Sequence, residues 1–153
     1  MSRPQVSRRM MLAAALGLAP AIAEAQPAAR VSTREAATAA RLINAYRASR
    51  GLAALRVDAR LNAVAAEHAR AMAGVDLLSH DIGGGYAARM RRHGLPTASE
   101  NIGWGYETVA EAVAAWRASP AHDANLVKPH GRMGLARAVA PGMRPYWALV
   151  LAP

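Results

Sequence analysis

The hydrophobic pattern of this chain changes from a helical period to a strand period between its first and last parts. In the first part, apolar residues recur every three or four positions, as on one face of a helix; the two stripes are Ala36, Ala39, Ala40, Ile43, Tyr46 and Leu61, Val64, Ala65, His68, Met72. In the last part, Gly134–Val139 and Tyr146–Leu151 are typical of strands, with Pro141-Gly142 as the turn between them. Helices precede strands without βαβ alternation, so the sequence predicts an α+β fold in which helices cover a small antiparallel sheet.

Capping residues mark the ends of the first two helices. Ser32 and Glu35 have the spacing of a capping box, which predicts a helix that starts there and ends at Gly51. Asp58 is predicted to cap the second helix, and Gly74 is predicted to close it.

Three further features lie around these helices. Residues 52–57 are predicted to be a connecting segment, and Gly83–Gly85 a loop, because a run of glycines holds regular structure only at an entropic cost. A short basic helix is predicted from about residue 86 to residue 93. His68 lies on the apolar stripe of the second helix, so we interpret it as a core histidine bonded to backbone rather than as a ligand.

The stretch from Ala98 to Asn125 holds the strongest local signals. Glu100 lies in a segment bracketed by glycines that is too short and irregular to be a helix. Thr108 has a glutamate three residues later, so a capping box starts a helix with an apolar face; that face is Val109, Ala112, Val113 and Trp116. Ser119-Pro120 ends this helix and starts another, which places His122 in the first turn of the new helix.

The N-terminus is typical of a targeting segment. Arg8 and Arg9 form a twin arginine ahead of an Ala- and Leu-rich run, and small residues allow cleavage near Ala25. We therefore expect residues 1–25 to be a twin-arginine export signal and 26–35 to be a linker. An ordinary Sec signal that happens to carry two arginines is the alternative.

Charge and composition restrict the partners. The chain has a formal net charge of +9, and removal of residues 1–25 leaves +7. Such an excess favours anionic surfaces, and for an exported protein these are lipid or cell-envelope anions rather than nucleic acid. The apolar run of the export signal is too short for a membrane span, so we expect no transmembrane segment after its removal. The chain has no cysteine, which excludes disulfides and a thiolate nucleophile.

A series of short motifs, in order and at fixed spacing, resembles the bacterial branch of the CAP superfamily, the cysteine-rich secretory, antigen 5 and pathogenesis-related proteins, whose domain is also called SCP. The motifs are Asn44-x-x-Arg47, Gly51-Leu52-x-x-Leu55, Asp58-x-x-Leu61, His68-Ala69, Leu78-Ser79-His80, Arg89 with Gly94, Glu100-Asn101-Ile102, Trp116-x-x-Ser119-Pro120-x-His122-x-x-Asn125 and Gly134-Leu135-Ala136. The resemblance covers residues 36–152. It implies an α-β-α sandwich, a secreted or periplasmic location and a surface cleft built from histidine and glutamate.

The resemblance assigns cleft residues one at a time. His80 matches the first cleft histidine of the family, and Glu100 matches its first cleft glutamate. The second glutamate of eukaryotic members is replaced by Ser119, and their second histidine motif is missing. His122, from the Ser-Pro-x-His of the bacterial branch, is taken as the replacement.

Three interpretations of His80, Glu100 and His122 remain open. Two imidazoles and a carboxylate can ligate a divalent metal such as zinc with one open position. The same cleft could bind a small ligand, a lipid, a sterol or an envelope component without metal. The three residues could also form a hydrogen-bonded cluster that only holds loops together.

A hydrolase that cleaves peptides or esters is the alternative function, with the cleft as an acid–base or metal site. Ser79, Ser99 and Ser119 each lie beside a cleft residue, but none lies in a Gly-x-Ser-x-Gly elbow. The residues therefore favour a binding module over an enzyme.

Overall fold

The structure is a computed structural model that describes residues 28–153. The predicted export signal, with Arg8, Arg9 and the cleavage position near Ala25, lies outside the described residues. In chain order the elements are β1 (Arg30–Ser32), α1 (Ala36–Ser49), β2 (Arg56–Val57), α2 (Ala59–Val75), α3 (Tyr86–Arg92), β3 (Ser99–Trp104), α4 (Val109–Ala118), α5 (Pro120–Leu126), β4 (Arg132–Val139) and β5 (Tyr146–Ala152).

The strands form one sheet with the order β1-β4-β5-β3, and β2 pairs with β4 beside this path. The β1–β4, β4–β5 and β3–β5 pairs are antiparallel, whereas the two-residue strand β2 is parallel to β4. Both strands predicted near the C-terminus are present, and they are the two central strands of the sheet. The prediction of a small antiparallel sheet is confirmed, with one short parallel addition.

Helices cover both faces of the sheet, because side chains alternate along each strand. On β5, Trp147, Leu149 and Leu151 belong to a core shared with α1 and α4. The residues between them, Ala148 and Val150 among others, belong to a second core with α2 and α3. The expected α-β-α sandwich is thereby confirmed.

Glycine at position 134 lets α2 approach the sheet closely. A Cβ atom at Gly134 of β4 would lie 2.0 Å from the carbonyl carbon of Leu61 in α2. The neighbouring residue of β4 is tied to the same helix, since the Leu135 N–H donates to Asn62 Oδ1 at 2.9 Å. The Gly134-Leu135-Ala136 motif therefore serves the packing of the fold.

The helix α4 has the ends and the buried face that the sequence predicts. Thr108 and Glu111 form the reciprocal capping box. Trp116 is 1 % exposed, and its indole N–H donates to the carbonyl of Ile102 at 2.9 Å. This bond ties α4 to β3, the strand that carries Glu100.

Three segments for which no strand was predicted contain strands. The linker 26–35 includes β1, the connection 52–57 includes β2, and the segment around Glu100 is β3. β1 and β2 are short, and their partner β4 lies about 75 to 110 positions further along the chain. Such strands depend on distant pairing rather than on a local pattern, so sequence periodicity does not reveal them.

Two predicted helix ends differ from the structure, and one is confirmed. The Ser32 hydroxyl donates to Glu35 Oε2 at 2.8 Å, but α1 starts at Ala36 without a side-chain cap. Gly74 lies inside α2, and the left-handed residue that follows the helix is Asp76, with φ of 50°. Asp58 caps α2 as predicted by accepting from two backbone N–H groups.

In the described part of the chain, no helix combines the length and the apolar character needed to cross a membrane.

Candidate functional site

The site is built around Glu100, whose carboxylate is fully buried at the start of β3. The Nη2 atom of Arg89, from the last turn of α3, donates to both carboxylate oxygens, at 2.7 and 2.8 Å. Burial alone would raise the pKa of Glu100, but the hydrogen bond from His80, the attraction of His68 where acid protonates it, and the charge of Arg89 outweigh burial and hold the pKa below its ordinary value. Glu100 is therefore an ionised carboxylate whose charge is matched by a buried guanidinium.

His80 joins the same carboxylate from the turn between α2 and α3. Its Nδ1 lies 2.8 Å from Glu100 Oε1, and its side chain is 42 % exposed. An ionised carboxylate only accepts hydrogen bonds, so Nδ1 carries the proton that it donates to Glu100. His80 is thus held in one orientation with its ring at the surface.

His68 is the buried neighbour of this pair. The prediction of a core histidine is confirmed, because the residue is 1 % exposed. The predicted bond to backbone is wrong, because neither ring nitrogen of His68 has a hydrogen-bond partner among the described residues. Its Nε2, however, lies 3.5 Å from Glu100 Oε1, so His68 belongs to the site and is not separate from it. Burial lowers the pKa of His68 to about 4, against the opposing attraction of Glu100. Its imidazole is neutral near pH 7.

His122 and Ser119 lie at the start of α5, as predicted. Burial lowers the pKa of His122, and the electrostatic influence of His80 lowers it further. The carbonyl of His122 accepts a hydrogen bond from Asn101 at 3.1 Å. Ser119 is half-buried and makes no side-chain cap bond. Neither residue lines the pocket in which His80 and Glu100 meet.

That pocket has a volume of about 330 Å³ and opens between α3, the start of β3 and the end of α5. Its lining residues are His80, Tyr86, Ala98, Ser99, Glu100, Asn125 and Lys128. The Tyr86 hydroxyl donates to the carbonyl of Ala98, which closes one wall. The volume lies at the small end of the range for ligand sites in proteins.

Lys128 supplies the positive charge of the pocket. Its ammonium donates to Ser99 Oγ at 3.0 Å and to Asn125 Oδ1 at 2.9 Å, both neutral groups. No carboxylate pairs with Lys128 within residues 28–153. Arg89, which lies outside the pocket lining, neutralises Glu100, so the charge of Lys128 is not balanced by another group of the pocket.

The residues present do not fit a shared divalent cation in this arrangement. Both oxygens of Glu100 accept hydrogen bonds from Arg89, and Oε1 also accepts one from His80. A cation there would have to displace a guanidinium that already supplies positive charge. Among the described residues, no group of three or more His, Asp or Glu side chains could hold a metal ion.

Sequence reasoning missed several side chains of the site, Tyr86 and Asn125 of the pocket lining among them. Arg89 and His68 occur in the family-like motifs, but periodicity does not show that they meet at Glu100. Ser99 gives no signal beyond its place before Glu100. Lys128 could have been found, since it is the single lysine among 19 lysines and arginines.

The family model for CAP, the cysteine-rich secretory protein family, matches residues 40–150. The chain belongs to this family. CAP membership agrees with the resemblance in the motifs and with the sandwich architecture, and it holds although the chain has no cysteine. None of the curated proteins matches the sequence.

Solved structures show the same fold. An outer surface protein from Borrelia burgdorferi is similar with a TM-score of 0.71 and 21 % identity, covering 79 % of this chain and 94 % of that one. An extracellular SCP-domain protein from Bacillus anthracis is similar with a TM-score of 0.65 and 22 % identity, and the match covers 76 % of this chain and 39 % of that one. A cysteine-rich secretory protein from Staphylococcus aureus is similar with a TM-score of 0.57 and 18 % identity, and the match covers 76 % of this chain and 37 % of that one. This CAP chain therefore spans less than half of the last two proteins.

Proposed function

We propose that the chain is an exported CAP-domain binding protein whose pocket at Lys128, His80 and Glu100 takes a small ligand with an anionic group. Residues 1–25 would direct it to the periplasm or the cell exterior through the twin arginine Arg8-Arg9. Export agrees with the similarity to an outer surface protein and to an extracellular protein.

The contact between Arg89 and Glu100 is the observation on which the proposal rests. Arg89 neutralises Glu100, the one carboxylate of the pocket lining, so no negative charge in the lining is left to pair with the ammonium of Lys128. An unpaired ammonium beside a half-exposed imidazole favours a carboxylate or a phosphate group. A divalent cation would meet that positive charge without a free carboxylate.

The source of the anion is a lipid or an envelope fragment. A fatty acid presents a carboxylate on an apolar chain, and an envelope phosphate presents the same charge without the chain. A protein with a formal net charge of +7 after removal of residues 1–25 is attracted to surfaces that contain either group. The pocket volume of about 330 Å³ admits the headgroup of such a molecule or a short acid.

Calorimetric titration with octanoate and with inorganic phosphate tests the proposal and separates the two sources. We expect binding of at least one anion to the wild-type chain at pH 7.5 and at least a tenfold loss in Lys128→Ala. Arg144→Ala removes an exposed cation at the other end of β3, beside Trp104, and should leave the affinity unchanged. Equal affinity in wild type and Lys128→Ala would refute the assignment of the pocket.

A further inference from the structure

Ser99, the first residue of β3, makes a contact that the binding function does not need. Its hydroxyl oxygen lies 3.1 Å from His130 Nε2 and 3.0 Å from Lys128 Nζ. Ser99 lines the pocket, while His130 lies behind it and is 7 % exposed. Lys128 and His130 both come from the short segment between α5 and β4.

The direction of these hydrogen bonds follows from the donors that each group has. An ammonium only donates, so Ser99 Oγ accepts from Lys128. The single hydroxyl proton of Ser99 is then available to His130 Nε2. Burial lowers the pKa of His130, and the charges of Lys128 and Arg47 lower it further. The imidazole is therefore neutral near pH 7 and can accept that proton.

A serine whose hydroxyl donates to a neutral imidazole has the geometry of a nucleophile and its general base. The serine oxygen and the imidazole nitrogen of such a pair are usually about 2.6 to 3.2 Å apart. The nearby ammonium adds a positive charge where an oxyanion would form. In the described part of the chain, Nδ1 of His130 is buried without a hydrogen-bond partner.

We propose that Ser99 is the nucleophile of a slow hydrolase for small carboxylic esters, with His130 as general base and Lys128 beside the oxyanion. This activity goes beyond the proposed binding function and does not use His80 or Glu100. The acid product is a carboxylate, the kind of ligand that the pocket charge favours. Because no group orients His130 Nδ1 in residues 28–153, we expect turnover well below that of enzymes with a complete triad.

The reaction needs only ester and water. Ser99 Oγ bonds to the carbonyl carbon while its proton passes to His130 Nε2, and the carbonyl electron pair moves to the oxygen beside Lys128. When the carbonyl re-forms, the bond to the alcohol oxygen breaks and His130 returns the proton to the alcohol. Water then attacks the acyl-serine, gives a proton to His130, and releases the acid as that proton returns to Ser99 Oγ.

A fluorophosphonate probe tests the nucleophile directly, because an activated serine displaces its fluoride and remains phosphonylated. The full chain should take up one probe, which mass spectrometry should locate on Ser99, and it should hydrolyse p-nitrophenyl acetate. His130→Gln should slow labelling by ~100-fold, at the lower end of what a general base contributes. Ser49→Ala changes an exposed serine on α1 and should label at the wild-type rate.

The pH profile gives a readout that a structural hydrogen bond would not produce. Labelling should increase with pH through the lowered pKa of His130 and be constant above neutrality. Folded wild-type protein that takes up no probe overturns the proposal without recourse to any variant. Labelling that persists in Ser99→Ala, or an unchanged rate in folded His130→Gln, overturns the assigned roles. Octanoate binding can fail while labelling succeeds, so the two proposals are separable.

Discussion

Acid is expected to destabilise this fold chiefly through His68. The pKa of its imidazole is about 4 in the folded chain, against 6.5 for the ordinary group. As the pH falls below 6.5, His68 binds a proton in the unfolded state but not in the folded state, so the free energy of unfolding decreases. A difference of one pKa unit between the folded and unfolded states corresponds to about 1.4 kcal/mol. For the lowered pKa of His68, reducing the pH from 7.5 to 4.5 should therefore decrease the free energy of unfolding by roughly 2–3 kcal/mol.

Other groups act in the same direction over this range. Burial lowers the pKa of His122 and His130 as well. The lowered pKa of Glu100 adds a loss at the acid end, since its stabilisation is present above the unfolded-state pKa and disappears as the folded carboxylate is protonated. The total loss in the wild-type chain should therefore be at least that of His68 alone. For a domain whose stability is ~5–15 kcal/mol, this is a large fraction.

Urea unfolding at several pH values between 7.5 and 4.5 measures the effect. His68→Leu removes the titrating group and keeps an apolar side chain in the core. Between pH 7.5 and 4.5, the free energy of unfolding of this variant should therefore decrease by roughly 2–3 kcal/mol less than that of the wild type. Met72→Leu, a change of similar volume at another buried position of α2, alters no titrating group and is the matched control that should keep the wild-type pH dependence. Parallel pH dependence in His68→Leu and wild type, within ~0.5 kcal/mol, would refute the reasoning.

Three further predictions concern the core, the packing of the sheet and export. Trp116→Ala should cost ~3–5 kcal/mol in urea unfolding, whereas Trp104→Ala, at a 46 % exposed site, should cost less than ~1 kcal/mol; equal costs would contradict the assigned helix face. Gly134→Ala forces a methyl group into the backbone of α2 and should cost ~3 kcal/mol or more, so a loss below ~1 kcal/mol would contradict that close approach. Replacing Arg8 and Arg9 with lysine should trap the precursor in the cytoplasm, and unchanged processing would favour the Sec route.

Local signals predicted the parts of the fold that depend on neighbouring residues. The capping box at Thr108, the buried face of α4 and the helix start at Ser119-Pro120 are all encoded within a few positions. The strands β1 and β2 were missed because they are too short for a period and are held by a partner far along the chain.

The site shows the same limit at the level of side chains. Periodicity indicated that His68 is buried, but it could not show that the imidazole faces Glu100. The partner of Glu100 in α3, Arg89, lies 11 positions away, and Ser99 and His130 are 31 positions apart. Such contacts are set by how β3 packs against α3 and the segment after α5, and no spacing rule in one sequence encodes them.

A thermal melting experiment with zinc and with octanoate, each added separately to the full chain, tests the central claim that Arg89 matches Glu100 and leaves the pocket selective for anions. The account predicts that octanoate raises the melting temperature at pH 7.5 and that zinc does not. A rise with zinc at pH 7.5 that is absent at pH 5 and lost in His80→Ala would contradict the claim, because only neutral imidazole ligates a metal.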